Sequence, residues 1–347
     1  MEHETALISP KWRLTNKILQ TATRMITTAA NHLIQAWITQ ELRHRGPPYM
    51  SNLGNLIKRY PEYIQLNMME HIAAYIRPPW WMPKATTEIS AASKDEAAKA
   101  HQQRLHQIST QDLIIYTDGS GHNGHIGAAI YSPTTTVTKG EYLGTDDTHN
   151  IYAAELTAIQ MAIKLFEEDI DKHPNVYIFT DNQSTIQAVD SPKRQSGQYI
   201  VKEILDTIDR IHQAKPCSTI HIKWVPGHMN IKGNEQADQA AKAAAMPTTT
   251  PPSTKMKSAQ KRSIQSMTKA QWETEWKLGR ENARRLRNMS QQPGTTTGLK
   301  LYGELQHRKH VVWISRLRTG HCHLNEYLHR FNIIETPECE CGATLTH

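Results

Sequence analysis

The central part of the chain alternates short runs of β-branched and aromatic residues with longer segments in which apolar residues recur at helical spacing. The strands that this pattern predicts are at 113–117, near 126–131 and 137–143, at 176–180 and at 219–225. The helices that it predicts are at 152–168, near 183–189 and 197–213, and at 234–245. The element order is therefore β-β-β-α-β-α-α-β-α, which indicates an α/β domain over residues 111–247.

The segment before this domain is predicted to be mainly helical. Apolar residues recur near helical spacing through residues 10–45, until a Gly-Pro-Pro sequence ends the pattern. Ser93 followed by Glu96 is a capping-box pattern, which predicts a polar helix that reaches about residue 108.

The segment after the domain begins with a predicted linker. Three threonines lie between the prolines of the stretch from Pro247 to Pro252, and helical spacing resumes near 258–290 and 303–332. The predicted divisions are 1–110, 111–247, 248–257 and 258–347.

Four acidic residues each lie inside a short signature of the central domain. Asp118 in YTDGS and Asp181 in FTDNQS both follow a predicted strand, so we expect both carboxylates where a strand ends. Glu155 in YAAELTAI and Asp238 in GNEQADQAA lie on alanine-rich helices. Carboxylates that converge in a dry site repel one another unless cations neutralise them. The sequence therefore predicts a divalent-metal site.

Charge is distributed unevenly along the chain. The net charge is +7, but residues 111–247 carry 11 basic and 17 acidic residues, whereas residues 255–330 carry 16 basic and 5 acidic ones. A basic flank beside an acidic catalytic unit suits a polyanionic substrate, so we expect residues 255–330 to bind nucleic acid. A set of solvated helices is the alternative interpretation of this charge.

Features of secreted or membrane proteins are missing from the pattern. No apolar run approaches the roughly 18 residues of a membrane span, and no amino-terminal signal pattern is present. The four cysteines are too few and too clustered for a disulfide scaffold, which fits a reducing compartment. They are Cys217, Cys322, Cys339 and Cys341. We expect an intracellular protein, nuclear or cytoplasmic, that is not secreted and does not bind a membrane; its oligomeric state is not predicted.

Five linked motifs, TDGS, AAEL, TDNQS, WVPGH and GNEQAD, make the central domain resemble ribonuclease H over about 135 residues. The resemblance implies a five-stranded mixed sheet with helices on both faces, flanked here by mainly helical segments. It also implies a metal-dependent endonuclease that hydrolyses the RNA strand of RNA/DNA hybrids. No long Lys/Trp-rich insertion lies between Asp181 and His228, so the domain looks like forms that lack an extra basic helix.

The chemistry of phosphodiester hydrolysis requires an activated water and a stabilised leaving oxygen, and two Mg²⁺ ions about 4 Å apart supply both. Mn²⁺ is the expected substitute. On the pattern of the resembled family, Asp118 bridges both ions and Asp238 lies on the nucleophile side. Glu155 and Asp181 then lie on the leaving-group side, and His228, in a Pro-Gly-bounded loop, shuttles a proton from the product.

Four further residues are predicted to contact substrate. Gly119 and Ser120 follow the bridging aspartate, where a small residue admits a phosphate and a hydroxyl can donate to it. Asn150 and Gln183 are short polar groups near the acids that could bind ribose 2′-hydroxyls. Asn182, next to Gln183, is alternatively a helix cap.

The flanks carry a second resemblance. PPWWMP and SKDEAAKAH before the domain, with WISRLRTGHCHLNEYLHRF and CECG after it, look like the carboxyl-terminal part of a fungal-type non-LTR retrotransposon reverse transcriptase polyprotein. Residues 1–110 are then a remnant of the region that links polymerase to ribonuclease H, and 258–347 end in a truncated Cys/His knuckle. Cys339 and Cys341 have metal-ligand spacing, but with His347 they give three ligands, so we do not expect zinc.

Two alternatives differ in class from an active ribonuclease H. Integrase-type transferases and 3′–5′ exonucleases share the expected fold but lack this combination of motifs. A catalytically silent, nucleic-acid-binding relic of a mobile element is the second alternative. The presence of all four acids argues against it.

Overall fold

The computed structural model describes residues 8–43, 52–63, 68–247, 254–278, 302–305, 307–319 and 323–339. Its contacts divide the chain into two units, one of Thr21–Ser263 and one of Met1–Gln20 with Ile264–His347. The first unit contains the sheet and all of the predicted catalytic residues. The predicted divisions at residues 110 and 247 remain predictions.

The strands in chain order are β1 (Thr86–Glu88), β2 (Leu113–His122), β3 (His125–Ser132), β4 (Val137–Thr145), β5 (Asn175–Thr180) and β6 (Thr219–Trp224). The described helices begin with α1 (Pro10–Ile26), α2 (Leu33–Arg43), α3 (Asn52–Arg59), α4 (Lys94–Leu105), α5 (Ile151–Glu168) and α6 (Gln183–Asp190). They continue with α7 (Gln198–Ala214), α8 (Lys232–Ala244), α9 (Lys257–Leu278), α10 (Arg308–Thr319) and α11 (Asn325–Arg330). None of the helices within these described ranges is long and apolar enough to cross a membrane.

The sheet is mixed and has six strands in the order β1-β6-β5-β2-β3-β4. Strands β1, β6, β5 and β2 pair in parallel, and β2-β3 and β3-β4 pair antiparallel. The ribonuclease H-like fold is confirmed and all five predicted strands are present, but the predicted count of five is wrong, because the sheet has a sixth strand. The sixth strand, β1, is three polar residues long and has no apolar alternation, so only its pairing with β6 makes it a strand.

Helices cover both faces of the sheet. Alternate residues of β2 point to opposite sides, so Leu113 and Ile115 join a core with α5 and α7, whereas Tyr116 joins a core with α8. Helix α4 adds Ala98 and Leu105 to the Tyr116 side. The segment before the predicted domain therefore contributes to the packing of the sheet.

The predicted capping box of α4 is present. The backbone N–H of Glu96 donates to Ser93 Oγ at 3.3 Å, and the Ser93 N–H donates to Glu96 Oε2 at 3.1 Å. Helix α4 ends at Leu105, three residues before the predicted end.

The second unit is helical in its described parts. Trp12 Nε1 donates to Glu275 Oε2 at 2.7 Å, and Asn16 Nδ2 donates to Thr268 Oγ1 at 3.0 Å. Trp272 of α9 is buried. Three arginines of the basic segment 255–330, Arg284, Arg285 and Arg287, lie outside the described residues, so nucleic-acid binding by that segment remains a prediction.

Candidate active site

Two of the four acids are neighbours across adjacent strands. The parallel register of β2 and β5 ends at the pair Thr117 and Thr180, so Asp118 and Asp181 are the next residues on the two strands. Asp181 follows the end of β5, as predicted. Asp118 lies inside β2 and pairs with Ala129 of β3, so its predicted position at a strand end is wrong. The small residues after Asp118 let β2 continue into the hairpin with β3.

Glu155 reaches the same place because α5 packs very close to β2. A Cβ added to Gly119 would lie 2.5 Å from the Glu155 backbone nitrogen and 2.8 Å from the Ala154 carbonyl carbon. A glycine is therefore required at position 119 for α5 to pack this close to β2. Its predicted approach to a phosphate remains a prediction.

Asp118, Glu155 and Asp181 form a cluster of carboxylates. Each offers one oxygen, and these oxygens lie within 4.8 Å of one another. Asp118 and Glu155 are buried, and Oε2 of Glu155 has no hydrogen-bond partner. A buried charged oxygen without a donor is costly, and a divalent cation with a preference for oxygen ligands offsets that cost. The three residues therefore fit a divalent-metal site.

The electrostatics of the cluster agree with this chemistry. Burial, followed by the negative charges of Asp181 and Asp238, raises the pKa of Asp118 to about 7. Burial and the charges of Asp118 and Asp181 raise the pKa of Glu155 well above its ordinary value. Burial also raises the pKa of Asp181, whereas a hydrogen bond from Asn234 and the charge of His228 act against this increase. Without a cation, the site favours protonated carboxyl groups.

Asp238 lies near the cluster but outside the group of three. It is on α8, and its Oδ2 accepts a hydrogen bond from Lys242 Nζ at 2.6 Å. Its charge nevertheless contributes to the raised pKa values of Asp118 and Asp181. The structure thus brings three of the predicted acids together and pairs the fourth with a lysine.

The loop from Val225 to Ile231 carries His228. The Val225 N–H donates to Thr180 O at 2.9 Å, and Trp224 Nε1 donates to Asp181 O at 2.9 Å. These bonds fasten the start of the loop to the end of β5. His228 itself is exposed and has φ +60°, a left-handed conformation. Its chain neighbour Gly227 lies against the cluster, because a Cβ added there would be 2.4 Å from Asp181 Oδ2.

The residues that are predicted to contact substrate differ in how far they are exposed. Ser120 is buried in β2 opposite Gly127. Asn150 caps α5, with Oδ1 accepting from Ala153 N–H at 2.9 Å, and its Nδ2 donates to Ser258 Oγ at 3.1 Å. Gln183 is the exposed first residue of α6. Contact of these residues with substrate remains a prediction.

Asn182 is the helix cap of α6. Its Oδ1 accepts from Ser184 N–H at 3.0 Å and from Thr185 N–H at 3.3 Å. The helix-cap interpretation of Asn182 therefore holds.

Two residues of α8 that matter to the site were not predicted. Asn234 is buried and acts against the raised pKa of Asp181, and Lys242 pairs with Asp238. Both lie four residues from Asp238, a spacing that puts all three on one helix face. That spacing in the sequence is the signal that could have identified them.

The candidate zinc ligands give no further information. Cys339 is exposed and free, and Cys341, His347 and Cys322 lie outside the described residues. The absence of zinc at this tail stays a prediction.

Comparison with known proteins identifies the domain. The family model described as RNase H matches residues 110–246. Ribonuclease H of Enterobacter sp. (strain 638) is 30% identical over 150 residues, which cover 40% of this chain and 91% of that enzyme. The Pol polyprotein of equine infectious anemia virus (isolate 1369) is 33% identical over 166 residues. The match covers 47% of this chain but only 12% of the polyprotein.

Solved structures with similar folds include two ribonucleases H1. That of the archaeon Halobacterium salinarum NRC-1 has a TM-score of 0.28 and 16% identity, and the match covers 38% of this chain and 96% of that one. LC11-RNase H1, solved in complex with an RNA/DNA hybrid, has a TM-score of 0.30 and 18% identity. That match covers 39% of this chain and 100% of the LC11-RNase H1 chain. The nearly full-length match to the Enterobacter enzyme, together with the family model, shows that the chain belongs to the ribonuclease H family of hydrolases.

Proposed function

We propose that the protein is a divalent-metal-dependent endonuclease that hydrolyses the RNA strand of RNA/DNA hybrids. The observation that carries the proposal is the buried carboxylate cluster of Asp118, Glu155 and Asp181, in which one Glu155 oxygen has no hydrogen-bond partner. Membership of the ribonuclease H family supports the same reaction.

The cofactor is proposed to be Mg²⁺, with Mn²⁺ as a substitute. Carboxylate oxygens are ligands that Mg²⁺ prefers, and the cluster offers three within 4.8 Å. When bound, a pair of Mg²⁺ ions supplies a nucleophile at neutral pH and neutralises charge that develops on the leaving oxygen. In this proposal Asp118 would be a ligand of both ions, Glu155 and Asp181 would be ligands on the leaving-group side, and Asp238 would be a ligand on the nucleophile side.

Asp238 needs a change of partner to take this role. Its Oδ2 is bound to Lys242 Nζ at 2.6 Å, so a metal ion at Asp238 would compete with the ammonium group. The pair is partly exposed and lies on one face of α8, so Lys242 can turn away without a change in the fold.

Proton transfer is assigned to His228. Its imidazole lies on an exposed loop near Asp181 and can carry a proton between the leaving oxygen and bulk water. Hydrogen bonds of Val225 and Trp224 fix the start of the loop to the end of β5. The exposed imidazole of His228, further along the loop, is free to move.

Recognition of RNA is assigned to polar groups beside the cluster. Asn150 and Gln183 lie at the N-terminal ends of α5 and α6, where ribose 2′-hydroxyls could be bound, and Gly119 and Ser120 lie on β2 next to Asp118. The 2′-hydroxyl is the group that separates RNA from DNA, so these contacts would direct cleavage to the RNA strand.

The biological context is proposed to be a reverse transcriptase polyprotein of a retrotransposon. The 33% identity with a viral Pol polyprotein supports a reverse-transcribing element as the origin of the domain. The fungal, non-LTR type rests on the motifs of the flanks alone.

The test is cleavage by the full chain of a hybrid labelled on its RNA strand, with Mg²⁺ or Mn²⁺. We expect cuts that leave 5′-phosphate and 3′-hydroxyl ends, none in DNA duplexes, and none with excess EDTA or in Asp118→Asn. The full chain is needed because Thr21–Ser263 forms one unit around the sheet. Cleavage that persists in EDTA, or equal cutting of DNA duplexes, would refute the proposal.

The same measurement examines the second candidate, a catalytically silent nucleic-acid-binding relic. The pairing of Asp238 with Lys242 is the observation that favours it, because it occupies the fourth acid. Hybrid binding by the unmutated chain without cleavage in either metal would support this candidate.

A further inference from the structure

One buried carboxylate joins three separate parts of the chain beside the candidate active site. Glu70 is 2% exposed. Its Oε2 accepts from Gly197 N–H at 2.7 Å, and its Oε1 accepts from Lys257 N–H at 2.7 Å and from Ser196 Oγ. Glu70 therefore ties the segment before the sheet to the loop before α7 and to the first turn of α9.

This junction continues to the start of α5. Ser258 N–H donates to Ser196 Oγ at 3.1 Å, and Asn150 Nδ2 donates to Ser258 Oγ at 3.1 Å. Asn150 caps the helix on which Glu155 lies five residues later, which is roughly 8 Å along the helix axis. The junction is therefore a short distance from the carboxylate cluster.

Four cations surround the junction, and we call them the basic surface: Arg24, Arg194, Lys257 and Lys261. Burial, and then the charges of Lys261 and Arg194, lower the pKa of Lys257, and Arg24 acts in the same direction. The negative charge of Glu70 acts against this. The hydrogen bonds of Glu70 and Ser196 hold the backbone of Lys257 and Ser258 against the loop at Ser196 and Gly197, two residues after Arg194.

In the described part of the chain, the charged groups of the basic surface form no salt bridge with a carboxylate. Arg24 and Arg194 are exposed, and Lys257 and Lys261 are partly exposed. A cluster of mutually repelling cations is stabilised by an anionic partner that reaches several of them together.

We propose that the basic surface binds phosphates of an RNA/DNA hybrid whose RNA strand lies at the carboxylate cluster. This inference rests on the proposed function and names the protein surface that holds the substrate. The predicted catalytic unit, residues 111–247, has a net charge of −6 from 11 basic and 17 acidic residues, so cations from its flanks offset its repulsion of a polyanion. Arg24, Lys257 and Lys261 lie outside the residues 110–246 that the family model matches.

The experiment measures binding of a fluorescent RNA/DNA hybrid to the full chain over a series of salt concentrations in excess EDTA. The test variant is Arg194→Ala with Lys261→Ala. The matched control is Lys94→Ala with Lys99→Ala, which removes the same charge from exposed positions of α4, on the opposite face of the sheet. Each lost phosphate contact reduces the slope of log affinity against log salt by about 0.9 on B-form DNA.

We expect the slope to fall by about 2 in the test variant and to stay unchanged in the control. Affinity at low salt should fall in the test variant only. Equal slopes for both variants would overturn the proposal and leave the four cations as a solvated face. Failure of the unmutated chain to bind the hybrid would overturn it as well.

The outcome is separable from that of the proposed function. Cleavage by the unmutated chain with equal slopes would refute the basic surface and leave the ribonuclease activity standing. A reduced slope without any cleavage would support the basic surface and refute the activity.

Discussion

Lys242 Nζ lies 2.6 Å from Asp238 Oδ2, and the two residues are one helical turn apart on α8. The resemblance assigns Asp238 to metal binding. The hydrogen bond raises the pKa of Lys242. The ammonium group also lowers the repulsion that Asp118 receives from the other acids. Lys242 therefore acts as a cation that partly substitutes for a metal ion at the fourth acid.

Removal of this lysine should make metal binding easier. In Lys242→Ala, Asp238 loses a competing cation, so we expect the Mg²⁺ concentration for half-maximal activity to fall by a few-fold. The pair is partly exposed, so the free energy of unfolding should change by no more than about 0.5 kcal/mol. Activity titrated with Mg²⁺ measures the effect.

The control for this prediction is Lys232→Ala, an exposed lysine at the start of the same helix. It should leave the Mg²⁺ dependence unchanged. A higher Mg²⁺ requirement in Lys242→Ala would show instead that the lysine assists the site.

The raised pKa of Asp118 predicts a pH-dependent difference in stability. The pKa of this aspartate is about 3.9 in the unfolded chain and about 7 in the folded protein, so the folded protein binds the proton more tightly. The resulting contribution to stability is fully present below pH 4 and is lost as pH rises to about 7. Asp118→Asn removes this loss. In EDTA at a pH above 7 the variant should be more stable than the unmutated chain, by roughly 1–4 kcal/mol.

The difference between variant and unmutated chain is the quantity to measure. Burial lowers the pKa values of His101 and His149 to about 4, and these histidines destabilise the fold as pH falls below about 6.5. Both are present in both proteins, so their effect cancels in the difference. Thermal unfolding at several pH values should show the two proteins converging near pH 4, and a constant difference would contradict the prediction.

His228 should be important but not essential. Its φ of +60° suits asparagine better than alanine, so His228→Asn removes the imidazole with little backbone strain. Because water can carry the proton less efficiently, we expect kcat to fall by roughly 10²-fold, whereas Asp118→Asn should abolish turnover. His106→Asn, an exposed histidine at the end of α4, is the control. An unchanged kcat in His228→Asn would refute the proton-transfer assignment.

The sequence predicted the fold class well because the fold class depends on local patterns. The runs that form β2 and β5 are apolar and β-branched, and their parallel register brings Asp118 and Asp181 together. The strand β1 was not predictable, because three polar residues have no pattern and gain strand geometry only from β6. The end of β2 was misplaced because the pairing of Asp118 with β3 depends on long-range contacts.

The contacts that shape the site also depend on long-range packing. The sequence places Gly119 next to Asp118, but only the approach of α5 shows that its role is to let Glu155 come close. Glu70 and Ser258 are ordinary polar residues in sequence, and they become part of one junction because distant segments meet there. Helical spacing from Asp238 would have identified Asn234 and the Asp238–Lys242 pair, but not the influence of Asn234 on Asp181.

The substitution Gly227→Ala should disturb the metal site and leave the rest of the fold intact. A Cβ added there would collide with Oδ2 of Asp181, a carboxylate of the cluster. In Gly227→Ala we expect the Asp181 side chain to rotate away, because the alternative is a shift of a loop fastened by Val225 and Trp224. Loss of one oxygen should raise the Mg²⁺ concentration for half-maximal activity at least about tenfold, a change of roughly 1.4 kcal/mol in binding free energy.

The matched control for Gly227→Ala is Gly303→Ala, because a Cβ at Gly303 would meet nothing within 4 Å. The control should keep the unmutated Mg²⁺ dependence. Asp181→Asn should also raise the Mg²⁺ requirement, and adding Gly227→Ala to it should have little further effect, because both changes act through the same carboxylate. Additive effects in the double variant would mean that Gly227 acts on another part of the site, such as the position of His228, and would contradict the collision with Asp181 as the cause.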